Sequence, residues 1–345
     1  MSLLKGRPGG VEASCMIDPS PAPMGAADAS SAFRRLVDNV ERVIAGNTLA
    51  VETAAVCLFA DGNLLLEGVP GVGKTTLARA LARSIGGGFS RVQATPDLLP
   101  SDLTGISVYD QQHGEFRFVP GPVFANVVLV DEINRTTPRT QSALLEPMEE
   151  RQVTVDGTTY PLPVPYVVIA TENPIEQHGT YPLPEGQLDR FAMTVPVGYP
   201  DGDRAGDIVR RQLLEHPMQE LRAVLTPDEV VRAQRAVRTV HVDDAIVDYV
   251  VAIVAATREA PEVVLGASPR STVWLTRCAQ ARAVALGRDH VLPDDVKALA
   301  SAVLAHRMVA RQARAGAEVG RRVVGRVLDE VPVPLHAREP GARRG

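Results

Sequence analysis

The segment GVPGVGKT, Gly68 to Thr75, constrains this chain more than any other. It follows an apolar run, NLLLEG from Asn63, and precedes a stretch where Leu77, Leu81 and Ile85 line one helical face. Strand, glycine-rich turn and amphipathic helix in that order match the phosphate-loop pattern G-x-x-x-x-G-K-[ST]. The glycines let backbone N–H groups turn toward phosphate oxygens, and the helix adds its positive N-terminal end. Gly68, Val69, Pro70, Gly71, Val72, Gly73, Lys74, Thr75 and Thr76 are therefore candidate nucleotide-binding residues. Lys74 is expected to reach the β- and γ-phosphates, and Thr75 to give its hydroxyl to Mg2+.

Further parts of a hydrolytic site follow in order. VVLVDE, from Val127, is an apolar strand ending in Asp131 and Glu132. Open α/β sheets bind ligands at the carboxyl ends of their strands, which places both acids beside the phosphate loop. Asp131 is the candidate for the Mg2+ shell, with Thr75. Glu132 is the candidate to orient and deprotonate the attacking water. A second apolar strand, YVVIATEN from Tyr166, ends at Asn173, whose amide suits the water or the γ-phosphate. LPEGQLDRF offers Arg190 and GASPRS offers Arg270. An arginine that neutralises the phosphoryl transition state is worth about 10³–10⁵ in rate.

Strands that alternate with helical segments predict an α/β layered domain with a parallel sheet. Two hairpins are inserted in it. ISVYD and EFRFV flank the tip Gln111 to Gly114, and Asp156-Gly157 joins the strands of RQVTVDGTTYPL. Near Tyr199-Pro200-Asp201 strand signals give way to helical ones. Thr226-Pro227-Asp228-Glu229 is a capping box, with Leu225 and Val230 as its hydrophobic staple. The expected organisation is a disordered tail over 1–30, rich in Gly, Pro, Ala and Ser. An α/β nucleotide-binding domain follows over 31–199, then a smaller all-helical domain over 200–332 and a basic tail over 333–345. Pro147 lies inside the helical run ALLEPMEER, where it predicts a kink or an early end.

Composition narrows the function. Hydrophobic residues make up 45% and charged residues 22% of the 345, the balance of a soluble globular protein. No apolar run approaches the ~18 residues that span a bilayer, so membrane insertion is not expected. Cys15, Cys57 and Cys278 are odd in number and widely spaced, which fits neither a disulfide framework nor a zinc site and points to the cytoplasm. The net charge of −5 argues against a nucleic-acid partner. The arginines between Arg307 and Arg326 read as the solvated face of helices. A nucleic-acid motor or transcriptional regulator on the same fold stays as the alternative.

The series GVPGVGKT, VVLVDEINR, IATENP, LPEGQLDRF and GASPRS resembles the AAA+ ATPases, specifically the MoxR family of the magnesium-chelatase-like clade. PDLLPSDLTG, FVPGPVFAN, RTQSALLEPMEERQVTVDG, QHGTYPLPE, GRDHVLPDDV and LAHRM extend it over about residues 33 to 334. The resemblance implies an AAA+ P-loop core with a C-terminal helical lid. It implies ATP and Mg2+ as ligands, and a homo-oligomeric ring, usually hexameric, with ATP between neighbours. It makes Asn173 sensor 1, Arg190 the finger that reaches the next subunit, and Arg270 sensor 2, acting on either side. It implies hairpins that face the pore, or that merely complete the sheet. It also implies chaperone-like work with partners carrying von Willebrand factor A domains, on a client the sequence does not name. Gly186 stands before the finger segment where the family more often has alanine, which predicts a looser Arg190.

Overall fold

A computed structural model describes residues 22–44, 46–173, 179–198, 217–311 and 316–334. Most of the expected N-terminal tail, the 199–201 transition, Gln177 and most of the basic tail lie outside the described residues. The first helix, α1 (Ala26–Glu41), begins five residues ahead of Ser31. Its opening turn has no large apolar side chain, so periodicity is silent there, yet Ala29 and Ala32 are fully buried. Then come α2 (Thr48–Phe59), β1 (Asn63–Glu67), α3 (Lys74–Ser84) and β2 (Phe89–Gln93). A short α4 (Pro100–Thr104) leads into the hairpin β3 (Gly105–Asp110) and β4 (Glu115–Pro120).

After β5 (Val127–Asp131) the helical run that contains Pro147 is split into α5 (Pro138–Ser142) and α6 (Leu145–Glu150). The break falls at Ala143-Leu144, before the proline. Pro147 therefore sits in the first turn of α6, where its missing N–H costs no hydrogen bond. The second hairpin is β6 (Gln152–Val155) and β7 (Thr158–Pro161). Asp156 and Gly157 turn it with φ of 50° and 78°, the positive values a two-residue hairpin demands. The unit ends with β8 (Val167–Glu172), α7 (Glu185–Leu188) and β9 (Phe191–Pro196).

Five strands form one sheet in the order β2-β5-β8-β1-β9, with each neighbouring pair parallel. Each face is covered, so the strands read as continuous apolar runs rather than alternating ones. Leu64, Leu66, Leu129 and Ile169 face the core shared with α1, α2 and α3. Leu65, Val128, Val130 and Val168 face a second core shared with Leu144, with Met148 of α6 and with Val153 of the second hairpin.

The C-terminal unit holds α8 (Pro217–Glu220), α9 (Pro227–Thr239), α10 (Asp244–Arg258), α11 (Pro269–Ala285), α12 (Pro293–Leu304) and α13 (Gly316–Glu330). Thr226 caps α9 as its sequence predicts: its hydroxyl accepts from the Glu229 N–H, and the Glu229 carboxylate accepts from the Thr226 N–H at 2.8 Å. This unit is not purely helical. Val263–Leu265 and Val309–Ala310 pair antiparallel, a contact between segments too short and too distant in sequence to show a strand period. Its core is continuous with that of α1 to α3. No helix among the described residues is long and apolar enough to cross a membrane.

Candidate active site

β1 delivers the chain to Gly68 at the carboxyl edge of the sheet. Gly71 and Gly73 take φ of 84° and 94°, and open space surrounds the position a Cβ would take at either. Turns of this kind let backbone N–H groups approach a phosphate closely. Lys74 opens α3 and is buried. Its ammonium donates to the Gly68 carbonyl and, at 2.9 Å, to the Glu172 carbonyl. Burial lowers its pKa, against the opposing charges of Asp131, Glu132 and Glu172.

Strand order explains how the acids reach this loop. β8 lies between β5 and β1, so Thr171 stands between the Asp131 strand and the phosphate loop. The Thr171 hydroxyl donates to Asp131 Oδ1 at 2.6 Å and accepts from the Glu132 N–H at 2.9 Å. The Thr75 hydroxyl donates to Asp131 Oδ2 at 2.9 Å. Arg91, on β2, donates to the same oxygen at 2.7 Å. Burial pushes the Asp131 carboxyl upward, but hydrogen bonds from Thr171, Arg91 and Thr75 and the charge of Arg91 outweigh it and hold it below the usual range. A carboxylate beside a hydroxyl is a hard-oxygen donor pair that suits Mg2+.

Glu132 leaves the strand in a left-handed turn, φ 59° and ψ 48°. Such backbone is uncommon outside glycine and asparagine and is typical of functional positions. One carboxylate oxygen accepts from Gln93 Nε2 at 3.1 Å and from Arg135 Nη1 at 2.9 Å. Asn173 is buried at the end of β8, and its carbonyl lies 3.5 Å from Asn134 Nδ2. Sequence reasoning missed Arg91, Gln93, Thr171 and Arg135. The alternation of Arg91 and Gln93 along FSRVQ is the one local signal that marks two of them.

Glu172 carries a half-buried acid into the same region. It is the register partner of Glu67 across β8 and β1. Burial, reinforced by the Glu67 charge and opposed by Lys74, raises its pKa to about 7. Burial also raises that of Glu67, which is offset by Arg321 of α13 at 2.6 Å.

Arg190 and Arg270 are brought together, away from this loop. Phe191 pairs with Asn63 at the start of both strands, while Glu67 pairs with Pro196 at their ends. Arg190 therefore sits at the amino edge of the sheet and Lys74 at the carboxyl edge, about 15 Å of strand apart. Arg190 Nη2 lies 3.1 Å from a Glu149 oxygen, and Arg270 Nη1 lies 2.6 Å from the other. The Gly186 carbonyl also accepts from Arg190. A Cβ at Gly186 would meet only the Arg190 guanidinium, at 3.9 Å. An alanine would thus fit there.

A phosphate loop, acid-ended strands on a covered parallel sheet and a helical lid occur together in one class of protein, the AAA+ ATPases. Residues 63–193 match the family described as ATPase family associated with various cellular activities (AAA), and residues 255–326 match the AAA lid domain. The crystal structure of a candidate ATPase from Cytophaga hutchinsonii aligns with a TM-score of 0.82 at 37% identity, covering 90% of this chain and 97% of its own. A Mycobacterium tuberculosis protein named chaperone MoxR1 is 41% identical over 91% of this chain and 86% of its own length. The protein named MoxR from Methylorubrum extorquens is 32% identical over 89% and 96%. A Bacillus subtilis protein, YeaC, is 47% identical over 87% and 94%. The chain belongs to the MoxR family of AAA+ ATPases.

Proposed function

We propose that this chain hydrolyses ATP in a site that a second copy must complete, and that the cycle remodels a partner protein. One observation carries the reading: Arg190 and Arg270 lie at the sheet edge opposite the phosphate loop of their own chain. Charge neutralisation on the γ-phosphate then falls to the arginines of a neighbour. The same placement favours action in trans for Arg270 as well as Arg190.

In this reading the loop amides and Lys74 bind the phosphates of ATP. Thr75 and Asp131 hold Mg2+, which when bound screens phosphate charge. Glu132 takes a proton from water as the water oxygen forms its bond to the γ-phosphorus. The bond to the bridging oxygen breaks, and ADP leaves with those electrons. Asn173 orients the water or the γ-phosphate. Gln93 and Arg135 hold Glu132 until ATP arrives.

The remodelling role draws on the relative named a chaperone. It also draws on the first hairpin, where Tyr109 and Phe116 pair at 5.3 Å between ring centres and are 52% and 74% exposed. Phe118 stacks on Tyr160 of the second hairpin at 4.1 Å, so the two hairpins form one apolar surface for a partner chain. A ring of copies, a partner with a von Willebrand factor A domain and a cytoplasmic setting complete the proposal.

Phosphate release by purified protein tests it. Glu132→Gln is expected to bind ATP and to lose about 10²- to 10⁴-fold in turnover. Equal turnover in both proteins would remove Glu132 from its role. The trapped variant, used as bait, is expected to retain a partner with a von Willebrand factor A domain.

A further inference from the structure

Glu149 has no part in the nucleotide chemistry described above, yet it stands between the two arginines that a neighbour's ATP requires. Arg190 comes from the α/β unit and Arg270 from the first turn of α11 in the helical unit. Each binds a different oxygen of the Glu149 carboxylate, at 3.1 and 2.6 Å. Two guanidinium groups this close repel one another unless a negative charge lies between them. Asp189 adds a weaker contact to Arg270 at 3.7 Å and is itself held by Arg307 at 3.0 Å. Arg190 Nε is enclosed with no acceptor among the described residues. Glu149 and the Gly186 carbonyl are thus partners that fix the Arg190 group.

The backbone that carries Glu149 is anchored, although the side chain itself is exposed. Met148, beside it, is buried in the second core, and its carbonyl accepts from the Asn63 side chain at 3.3 Å. Asn63 opens β1, the strand that ends at the phosphate loop, and its side-chain amide oxygen Oδ1 accepts from the Val168 N–H at 3.0 Å. The point on which both arginines converge is therefore tied to the central strands.

We infer that Glu149 is a positioning residue that holds Arg190 and Arg270 as a pair, so that they meet a neighbour's γ-phosphate as one preorganised unit. The inference rests on the reading that both arginines act in trans. Displacing a catalytic group by about 1 Å can cost on the order of 10²-fold in rate. ATP binding by the subunit's own loop is a separate matter, because that loop lies at the other edge of the sheet.

The test is steady-state turnover of the full chain carrying Glu149→Gln, Glu149→Asp, Arg190→Ala, Arg270→Ala, or Glu149→Gln with Arg190→Ala. Glu149→Gln is expected to lower kcat about 10- to 100-fold, to leave KM for ATP within about twofold, and to leave the elution volume of the assembly unchanged. Glu149→Asp is expected to recover part of the loss. The double variant is expected to be no slower than Arg190→Ala, because residues that act as one unit are not additive. Wild-type kcat in Glu149→Gln, with both arginine variants impaired, would overturn the inference and leave the trans reading standing. A rise in kcat would overturn it too, making the contact a brake. Wild-type kcat in both arginine variants would remove the reading beneath it.

Discussion

Glu67 and Glu172 stand side by side across β1 and β8, the first buried and the second half-buried, at the mouth of the phosphate loop. Arg321 neutralises Glu67. Glu172 keeps its proton up to about pH 7 because burial and the Glu67 charge disfavour its ionised form. In the unfolded chain it ionises near pH 4.5. The folded state therefore binds more protons than the unfolded state between these values, and stability falls as pH rises from about 4.5 to about 7. Glu172→Gln removes that penalty. Its Tm is expected to match wild type at pH 5 and to exceed it at pH 8 by about 2 °C or more. A variant less stable at pH 8 than wild type would contradict this account of the acid pair.

Arg307, which the sequence reads as part of a solvated helix face, is instead enclosed beneath α12 and holds the lid to the sheet. It donates to the Phe191 carbonyl at 2.6 Å and to Asp189 at 3.0 Å. Burial lowers its pKa, and Asp189 is the main opposing charge. Removing one partner of a buried ion pair leaves the other uncompensated, at a cost of about 3–5 kcal/mol. Asp189→Asn is expected to lose stability toward the lower end of that range, since Asp189 is partly exposed, read as a shifted urea midpoint at unchanged slope.

Thr171 links the two acids of the site with one hydroxyl. Thr171→Val keeps the shape of the buried position and deletes both hydrogen bonds. Turnover is expected to fall about 10- to 100-fold, through misplacement of Asp131 and Glu132. Thr171→Ser, which keeps the hydroxyl, is expected to stay within about threefold of wild type. Equal losses in both variants would show that the methyl, not the hydroxyl, is what matters.

What the sequence made legible was local. GVPGVGKT, VVLVDE and YVVIATEN each carry their own pattern, and their order is enough to place a nucleotide site at one sheet edge. The Thr226 cap and the Asp156-Gly157 turn are also written in adjacent residues. What stayed hidden depends on topology. The placement of β8 between β5 and β1 is what sets Thr171 between Asp131 and Glu132. The contact of Arg321 with Glu67 spans 254 positions, and no period or spacing reports it. The meeting of Arg190 and Arg270 on Glu149 joins segments 41 and 121 positions from it, and no local pattern reports it. The early end of the helix that contains Pro147 was legible as well: the helix stops at Ser142 and restarts at Leu145, with the proline in the first turn, where it is tolerated.

The most direct test of the central claim is a mixing experiment. Glu132→Gln and Arg190→Ala are each expected to be nearly inactive alone. A mixed assembly contains interfaces in which an Arg190→Ala subunit binds ATP with its own Glu132 while a Glu132→Gln neighbour supplies Arg190. Random assortment makes about a quarter of the interfaces complete in an equal mixture. Phosphate release is therefore expected to rise to about a quarter of the wild-type rate as the two proteins are combined. If both residues serve the ATP of their own chain, no complete site can form. Turnover that never rises above the average of the two separate proteins, in assemblies shown to contain both, would contradict the shared site.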